Sequence, residues 1–145
     1  MNQIHYVDVG ARGDLTEPWS EHEQDLIVYG FEADPVEFNR LNSLYPNRHY
    51  YPVALSSKAG EIPLYITEQP SQSSIYPPND NSMFEDQHWQ TRHTIKEVVM
   101  PFATLDETLS GACVDAFKID TQGAEYDILK GGKVLISHQK PFLFF

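Results

Sequence analysis

The sequence predicts an α/β domain built on a parallel sheet with right-handed crossovers. Short apolar runs rich in β-branched residues alternate with helical patterns along the chain, which is typical of strands joined by crossover helices. The first run, at 4–9, is followed by Gly10 and Gly13, and the second, at 26–32, ends on Glu32. Ligands of open α/β sheets bind beyond the carboxyl ends of the strands. The same pattern therefore predicts a ligand site.

Each strand is predicted from an apolar or alternating run. In chain order the predicted strands are 4–9, 26–32, 50–55, 62–67, 98–102, 114–120 and 141–145. Pro63 indicates that the fourth of these lies at a sheet edge, because proline cannot donate a hydrogen bond to a neighbouring strand. The last run is typical of a core strand, and no closing turn follows it. We therefore expect a trimmed chain or a domain fragment.

The helices are predicted from spacing and capping signals. They are a short or irregular helix within 15–25, where Pro18 interrupts the pattern, and helices at 36–44, 104–109, 123–130 and 133–138. Asp34 is the predicted N-cap of the second, with Pro35 at its first helical position. That helix is expected to face the sheet through Val36, Leu41 and Leu44. The glycine pair at 131–132 predicts a left-handed stop.

One domain is expected over residues 1–145, with a long insertion at about 68–95. The stretch from Glu68 to His93 is rich in Pro, Ser and Asn and contains Tyr76, Phe84 and Trp89. Long loops inside compact domains are usually functional or disordered. The embedded aromatic residues favour a folded lid over a linker.

Composition narrows the class of partner. The formal net charge is −11, from 21 acidic and 10 basic residues, which argues against nucleic acid and is compatible with a cationic or neutral ligand. Cys113 is the only cysteine, so a reducing, cytoplasmic compartment is expected. No apolar run is long enough for a membrane span, and no signal peptide precedes the first strand.

The glycine turn indicates a nucleotide-type ligand without phosphates. A dinucleotide fold normally shows G-x-G-x-x-G, but here Asp8 replaces the first glycine and leaves D-x-G-x-x-G. Glu32 follows Gly10 by 22 residues (32 − 10), close to the spacing of about 20 at which an acid meets ribose hydroxyls. A phosphate-binding P-loop is excluded, since no G-x-x-x-x-G-K spacing is present.

A third acid follows the predicted strand at 114–120. Asp120 could be a general base, a metal ligand or an N-cap for the helix that follows, and the sequence leaves these open. Glu125 is expected at the same sheet edge. His88 and His93 in the long loop are further candidate bases. No dense cluster of oxygen ligands is visible, so no metal is expected.

Four motifs in order resemble the FkbM-type S-adenosylmethionine-dependent methyltransferases. They are residues 7–13, 30–35, 53–56 followed by Gly60, and 118–125. The resemblance implies a Rossmann-like class I methyltransferase sandwich, with a mostly parallel sheet and helices on both faces. That sheet has seven strands in the family, and this chain ends at the fifth, so the resemblance also implies C-terminal truncation. Arg12 stands where Asn is common, and Gln122 replaces a usual Glu.

The resemblance also implies the cofactor, S-adenosylmethionine, and its contacts. The turn from Asp8 to Gly13 would hold the methionine end, Glu32 the ribose, and Ala54 and Leu55 the adenine. The implied cofactor-binding set is Asp8, Gly10, Arg12, Gly13, Glu32, Ala33, Ala54, Leu55 and Asp120. The implied reaction is methyl transfer to a hydroxyl of a sugar or other small molecule, with Asp120, His93 or His88 as the base.

Two alternatives remain from the sequence. One is a nicotinamide-dependent oxidoreductase, which the missing first glycine weakens. The other is a non-catalytic binding module with a methyltransferase-like fold, an alternative that the abrupt C-terminus leaves open. The acceptor and the oligomeric state cannot be predicted from these residues.

Overall fold

Five parallel strands form the central sheet in the part of the chain that the structure describes. The computed structural model describes residues 3–77 and 94–145. The sheet has the order β3-β2-β1-β7-β8, and its strands are β1 (Ile4–Val9), β2 (Leu26–Phe31), β3 (His49–Tyr51), β7 (Ala116–Ile119) and β8 (Phe142–Phe144). All four pairings are parallel. The predicted parallel sheet is confirmed, with β1 at its centre.

A second, smaller sheet packs beside the first. It consists of β4 (Ala54–Leu55), β6 (Thr94–Ala103) and β5 (Gly60–Thr67) in the order β4-β6-β5. β5 is an edge strand, as Pro63 predicts. The single strand predicted at 50–55 is wrong, because the chain leaves β3 at Tyr51 and enters the second sheet at Ala54. Pro52 lies at this break and has no N–H to continue the first pairing.

In the described ranges, four α-helices and two 3₁₀ segments connect the strands. They are α1 (Pro35–Leu44), α2 (Leu105–Thr108), α3 (Glu125–Gly131), α4 (Lys133–Gln139), and 3₁₀ turns at Trp19–Asp25 and Pro70–Gln72. The irregular helix predicted within 15–25 is confirmed by the first of these turns. Asp34 caps α1 as predicted, with Oδ1 accepting from the amide of Val36 at 2.9 Å. Among the described residues, no helix has both the length and the apolar character needed to cross a membrane.

Two details of the helices differ from prediction. Val36 and Leu44 are 79% and 56% exposed, and Leu41 alone of the three is buried, because the inward position at the start of α1 is taken by Glu37. Gly132 has φ −109° and lies between α3 and α4, so the predicted left-handed stop at 131–132 is wrong. The left-handed residue is Lys140, after α4.

The core occupies both faces of β1 and β7. Val7, Val9, Phe117 and Ile119 pack on one face, towards β4–β6 and the helices α2–α4. Tyr6 and Ala116 pack on the other, with Leu15 and Trp19. The run at 141–145 was predicted to be a core strand. A strand does form there, since β8 pairs with β7, but its side chains are exposed, so the predicted burial is wrong. In the described sheet β8 is an edge strand, at the end opposite β3.

Candidate functional site

A cleft of about 490 Å³ lies at the carboxyl ends of β1, β2 and β7. Its walls come from the turn after β1, the end of β2, the start of β4, the segment around Pro70–Gln72 and the loop after β7. The volume lies in the range of small-molecule sites. The predicted site at this edge of the sheet is therefore a real cavity in the structure.

The turn after β1 depends on its glycines for two different reasons. Gly10 has φ +78°, and a Cβ there would collide with the carbonyl oxygen of Asp120. Because Gly10 has no side chain, the loop after β1 can approach the loop after β7 closely. Gly13 has φ +90° with open space beside it, so its requirement is conformational.

Two side chains of α1 hold the turn after β1 in place. The amide of Gly13 donates to Oε1 of Glu37 at 2.8 Å, and Arg40 donates to both oxygens of Glu37 at 2.8 and 2.9 Å. Arg40 also donates to the carbonyl of Gly13 at 3.2 Å. The hydrogen bond from Arg40, aided by the Gly13 amide, lowers the pKa of Glu37 to about 2. The α1 side chains therefore fix one residue of the turn at both its amide and its carbonyl.

Two arginines hold the flanks of the same turn. Arg12 reaches Oδ2 of Asp34 at 2.6 Å, so the residue at the position where the family often has Asn is engaged with the α1 cap. Arg48, whose side chain is only 4% exposed, donates to Oδ1 of Asp14 at 3.0 Å and to Glu23 at 2.6 Å. It thereby ties the turn to the first 3₁₀ segment.

Asp8 is a buried acid at the end of β1, 6% exposed. Its Oδ1 forms an ion pair with Nζ of Lys118 at 3.0 Å, and within 3–77 and 94–145 no further donor reaches Oδ1. Burial raises the pKa of Asp8, and the Lys118 charge offsets part of that rise. Asp8 therefore has Lys118 as its counter-ion, but its buried carboxylate receives few hydrogen bonds.

Glu32 is the second buried acid and is also 6% exposed. Oε1 accepts from the amide of Asp34 at 2.8 Å. Burial raises the pKa of Glu32, and the amide only partly offsets it. Because Glu32 lines the cleft, its second oxygen is the natural acceptor for a ligand hydroxyl. Ala33, Ala54 and Leu55 line the cleft on this side, as expected.

Asp120 lines the cleft at the end of β7 and is exposed. Its Oδ1 accepts from Nε2 of Gln122 at 3.2 Å. It is not the cap of α3, since that helix has no side-chain cap bond. Glu125 is not among the residues that line the cleft, and it accepts from the amides of Thr121 and Gly123 at 3.0 and 3.2 Å. Of the three roles open for Asp120, the capping role is excluded.

The structure therefore brings together most of the predicted site. Asp8, Gly10, Arg12, Glu32, Ala33, Ala54, Leu55 and Asp120 all line the cleft. Gly13 supports it from the turn. His88 and His93 lie outside the described residues, as does much of the predicted lid. In the described part of the chain, no three metal-ligating side chains cluster, and the expectation of no metal stays a prediction.

The sequence reasoning missed Glu37, Arg40, Arg48 and Lys118. Glu37 had one weak signal, since acids favour the first turn of a helix. Arg40 had another, since it follows Glu37 by three positions on one helix. Lys118 lies in the motif at 118–125 but carried no assigned role, and Arg48 had no signal, because its partner Asp14 is distant in sequence.

Comparisons with known proteins agree with this geometry. The family model described as the methyltransferase FkbM domain matches residues 8–145. Among solved structures, the chain is similar to the methyltransferase FkbM from Methylobacillus flagellatus KT, with a TM-score of 0.59 and 15% sequence identity. The match covers 97% of this chain and 32% of that one, so the chain spans about a third of its length. The comparison with curated proteins finds no match. The predicted Rossmann-like methyltransferase fold is confirmed.

Proposed function

The chain belongs to the FkbM methyltransferase family, and we propose that it transfers a methyl group from S-adenosylmethionine to a hydroxyl of a sugar or other small molecule. The observation that carries the proposal is the meeting of Asp8, Glu32 and Asp120 in one cleft. Three strands deliver them to one edge of the sheet, where such ligands bind.

The cleft residues fit this cofactor in shape and charge. Glu32 offers a buried carboxylate oxygen to a pair of ribose hydroxyls, and Ala54 and Leu55 offer an apolar wall to adenine. The acids lining the cleft outnumber the bases; they are Asp8, Asp14, Glu17, Glu32, Asp34 and Asp120, against Arg12 and Lys118. A negative cleft favours a cationic ligand, and a sulfonium is cationic. The backbone of the glycine turn also lines the cleft, at Gly10.

The chain's part in the reaction is alignment and proton removal. S-adenosylmethionine, when bound, supplies a methyl group whose bond to a sulfonium sulfur breaks as the acceptor oxygen attacks. The cleft walls orient the acceptor, and such alignment can supply roughly 7–11 kcal/mol of the barrier. Asp120 is the proposed base and takes the hydroxyl proton, an effect worth about 10²–10⁴-fold. Its exposure at the cleft leaves it accessible to an acceptor.

The acceptor side of the cleft is polar. Ser71, Ser73 and Ser74 line it from the segment around Pro70–Gln72. Ser74 Oγ already donates to the carbonyl of Gln122 at 3.0 Å, and this bond ties that segment to the Asp120 loop. Ser71 is exposed. A hydroxyl-rich acceptor such as a sugar suits these groups.

We include a cytoplasmic location in the proposal, supported by the lone Cys113.

The test is ligand-dependent stability. Melting curves are recorded with S-adenosylmethionine, S-adenosylhomocysteine, NAD or no ligand. A ligand at 100 times its dissociation constant should add about 2.7 kcal/mol to the free energy of unfolding. We expect both S-adenosyl compounds to raise Tm. A rise with NAD alone would support an oxidoreductase, and no rise with any ligand would support a non-catalytic module.

A further inference from the structure

Two aromatic rings form a corner at the β8 end of the cleft. Trp19, from the first 3₁₀ segment, and Phe144, from β8, both line the cleft. Their ring centroids lie 5.3 Å apart and their planes meet at 83°. In this aromatic corner a third flat ring can stack on one ring face and present its edge to the other, the two arrangements that aromatic pairs prefer.

The aromatic corner is anchored in the core and open to the cleft. The Trp19 ring packs on Tyr6, with centroids 4.4 Å apart and a tilt of 30°, and Tyr6 is 1% exposed. Trp19 itself is half-buried, and Phe144 remains 42% exposed. The rings are therefore held in place from the core side, while aromatic surface is left for a ligand.

The aromatic corner lies one strand away from Asp120, the proposed base. β8 pairs with β7 so that Phe144 is level with Lys118, and Asp120 follows Lys118 by two residues. With strands about 4.8 Å apart and a rise of about 3.3 Å per residue, the backbone positions of Phe144 and Asp120 are separated by roughly 8 Å. One aromatic ring, its hydroxyl group and a hydrogen bond of ordinary length can span that distance.

Charge and acidity favour an uncharged ring that carries a hydroxyl. Glu17, two residues before Trp19, adds to the acids that line the cleft, and such a cleft disfavours an anionic ligand. A hydroxyl on an aromatic ring is a stronger acid than one on a saturated carbon. It therefore passes its proton more readily to a carboxylate such as that of Asp120.

We propose that the aromatic corner binds the acceptor, and that the acceptor is an uncharged aromatic compound whose ring hydroxyl is methylated. The proposal rests on the proposed function and selects one class among the small molecules that it allows. The phenolic oxygen bonds to the methyl carbon as the carbon–sulfur bond breaks, and the electron pair of that bond stays on sulfur. The hydroxyl proton passes to Asp120. The products are a methyl aryl ether and a neutral thioether.

The competing explanation is that Trp19 and Phe144 only close the smaller core around Tyr6. Their replacement should then change stability and leave ligand preference untouched. The serines of the cleft lie on another wall, next to Ile75 of the larger core. An acceptor bound by hydroxyl contacts alone would not need the aromatic corner. Both explanations predict no preference for a flat ring.

The experiment titrates two matched alcohols into the chain by ligand-observed NMR, with and without S-adenosylhomocysteine. 2-Naphthol is flat and aromatic, and decahydro-2-naphthol is its saturated counterpart with the same carbon skeleton and hydroxyl. We expect 2-naphthol to bind more tightly by about threefold or more, because an aromatic contact adds affinity beyond the area that it buries. With S-adenosylmethionine, 2-naphthol should yield its methyl ether, detected by mass spectrometry.

Substitutions locate the bound ring. Phe144→Leu and Trp19→Leu should each weaken 2-naphthol by about threefold or more and change decahydro-2-naphthol by less than about twofold, since leucine keeps an apolar surface without the ring. Trp19→Phe should retain part of the affinity. Trp19→Leu also removes a contact of Tyr6, so Phe144→Leu, at a partly exposed position, keeps the test valid if the first variant unfolds.

Phe142→Leu is the matched control. Phe142 lies on the same strand and is 76% exposed, but it is not among the residues that line the described cleft, so both affinities should stay unchanged.

Four results would overturn the aromatic acceptor: equal affinity for the two alcohols, no binding of 2-naphthol, equal effects of Phe142→Leu and Phe144→Leu, or no methyl ether from a chain that binds S-adenosylhomocysteine. Failure of S-adenosylhomocysteine to bind, with the ring preference intact, would overturn the proposed function instead and leave the aromatic corner as a binding site for flat rings.

Discussion

Replacing Glu37 with Gln tests how the glycine turn is held. The carboxylate accepts from the Gly13 amide and from Arg40, and its side chain is 11% exposed. Gln keeps the shape and one acceptor oxygen but removes the charge. We expect Glu37→Gln to lower the free energy of unfolding, because the Gly13 amide and Arg40 lose a charged partner.

The magnitude follows from the pKa of Glu37. The hydrogen bond from Arg40 lowers it from 4.5 to about 2, and at 1.36 kcal/mol per pKa unit the gap corresponds to about 3 kcal/mol. Arg40 is 45% exposed, and solvent screening reduces such pairs, so about 1–2 kcal/mol is expected at neutral pH. Because the folded-state pKa is lowered, this stabilisation is present above pH 4.5 and is lost as the pH falls towards 2.

The assay is urea unfolding of both proteins at pH 7 and pH 3. The difference between them should fall to less than half at the lower pH, since the unfolded chain then binds the proton. Glu61→Gln, at an exposed position on β5, is the matched control and should change stability by less than about 0.5 kcal/mol. A Glu37→Gln difference that is absent at pH 7, or that grows on acidification, would refute the reasoning.

Further predictions concern the same turn. Arg48→Met should cost about 2 kcal/mol in urea unfolding, since Asp14 and its neighbours lose charged hydrogen bonds; a loss below about 0.5 kcal/mol would show that the ion pairs contribute little. Gly10→Ala should destabilise the fold far more than Gly13→Ala, because only the first meets the Asp120 carbonyl. Gly13→Ala should cost about 1 kcal/mol from its positive φ alone. Equal losses at the two glycines, measured by thermal unfolding, would contradict the close approach of the loops.

The fold was predictable because its signals are local. The runs at 4–9 and 26–31 contain several β-branched residues. This composition is typical of parallel strands that are buried on both faces. The predictions for Val36 and Leu44 were wrong because spacing along a helix gives a face but does not show what lies beneath it. In the structure, part of the inner face of α1 is occupied by Glu37, which accepts a hydrogen bond from the Gly13 amide of the turn. The strand predicted at 50–55 divided for a similar reason, since two sheets compete for it.

The site was predictable only in part. Asp8, Glu32 and Asp120 each follow an apolar run, and the ends of parallel strands meet at one edge. Lys118 and Arg48 carry no such signal. Lys118 bonds to Gly10 across 108 positions of sequence, and Arg48 bonds to Asp14 across 34. Residues that orient a turn from a distance are recognisable only after the chain has folded.

The buried acids of the cleft and the acid that holds the turn differ in the direction of their pKa. Arg40 lowers the pKa of Glu37, whereas burial raises that of Glu32. A lowered pKa means that the charge stabilises the fold, and a raised one means that the charge costs stability. This direction is consistent with the ligand-binding role proposed for Glu32, since perturbed acids often lie at functional sites.

Glu32→Gln should separate stability from binding. The variant keeps an oxygen for the Asp34 amide and removes the buried charge, so at pH 7 we expect unfolding to require equal or greater free energy than in the wild-type chain. The gain should shrink as the pH falls and wild-type Glu32 becomes protonated, because its folded-state pKa is raised. Affinity for S-adenosylhomocysteine should fall at the same time, since a charged acceptor for the ribose hydroxyls is lost. Urea unfolding and calorimetry on one preparation measure both. A destabilised variant with unchanged affinity would assign Glu32 to the fold and remove it from the site.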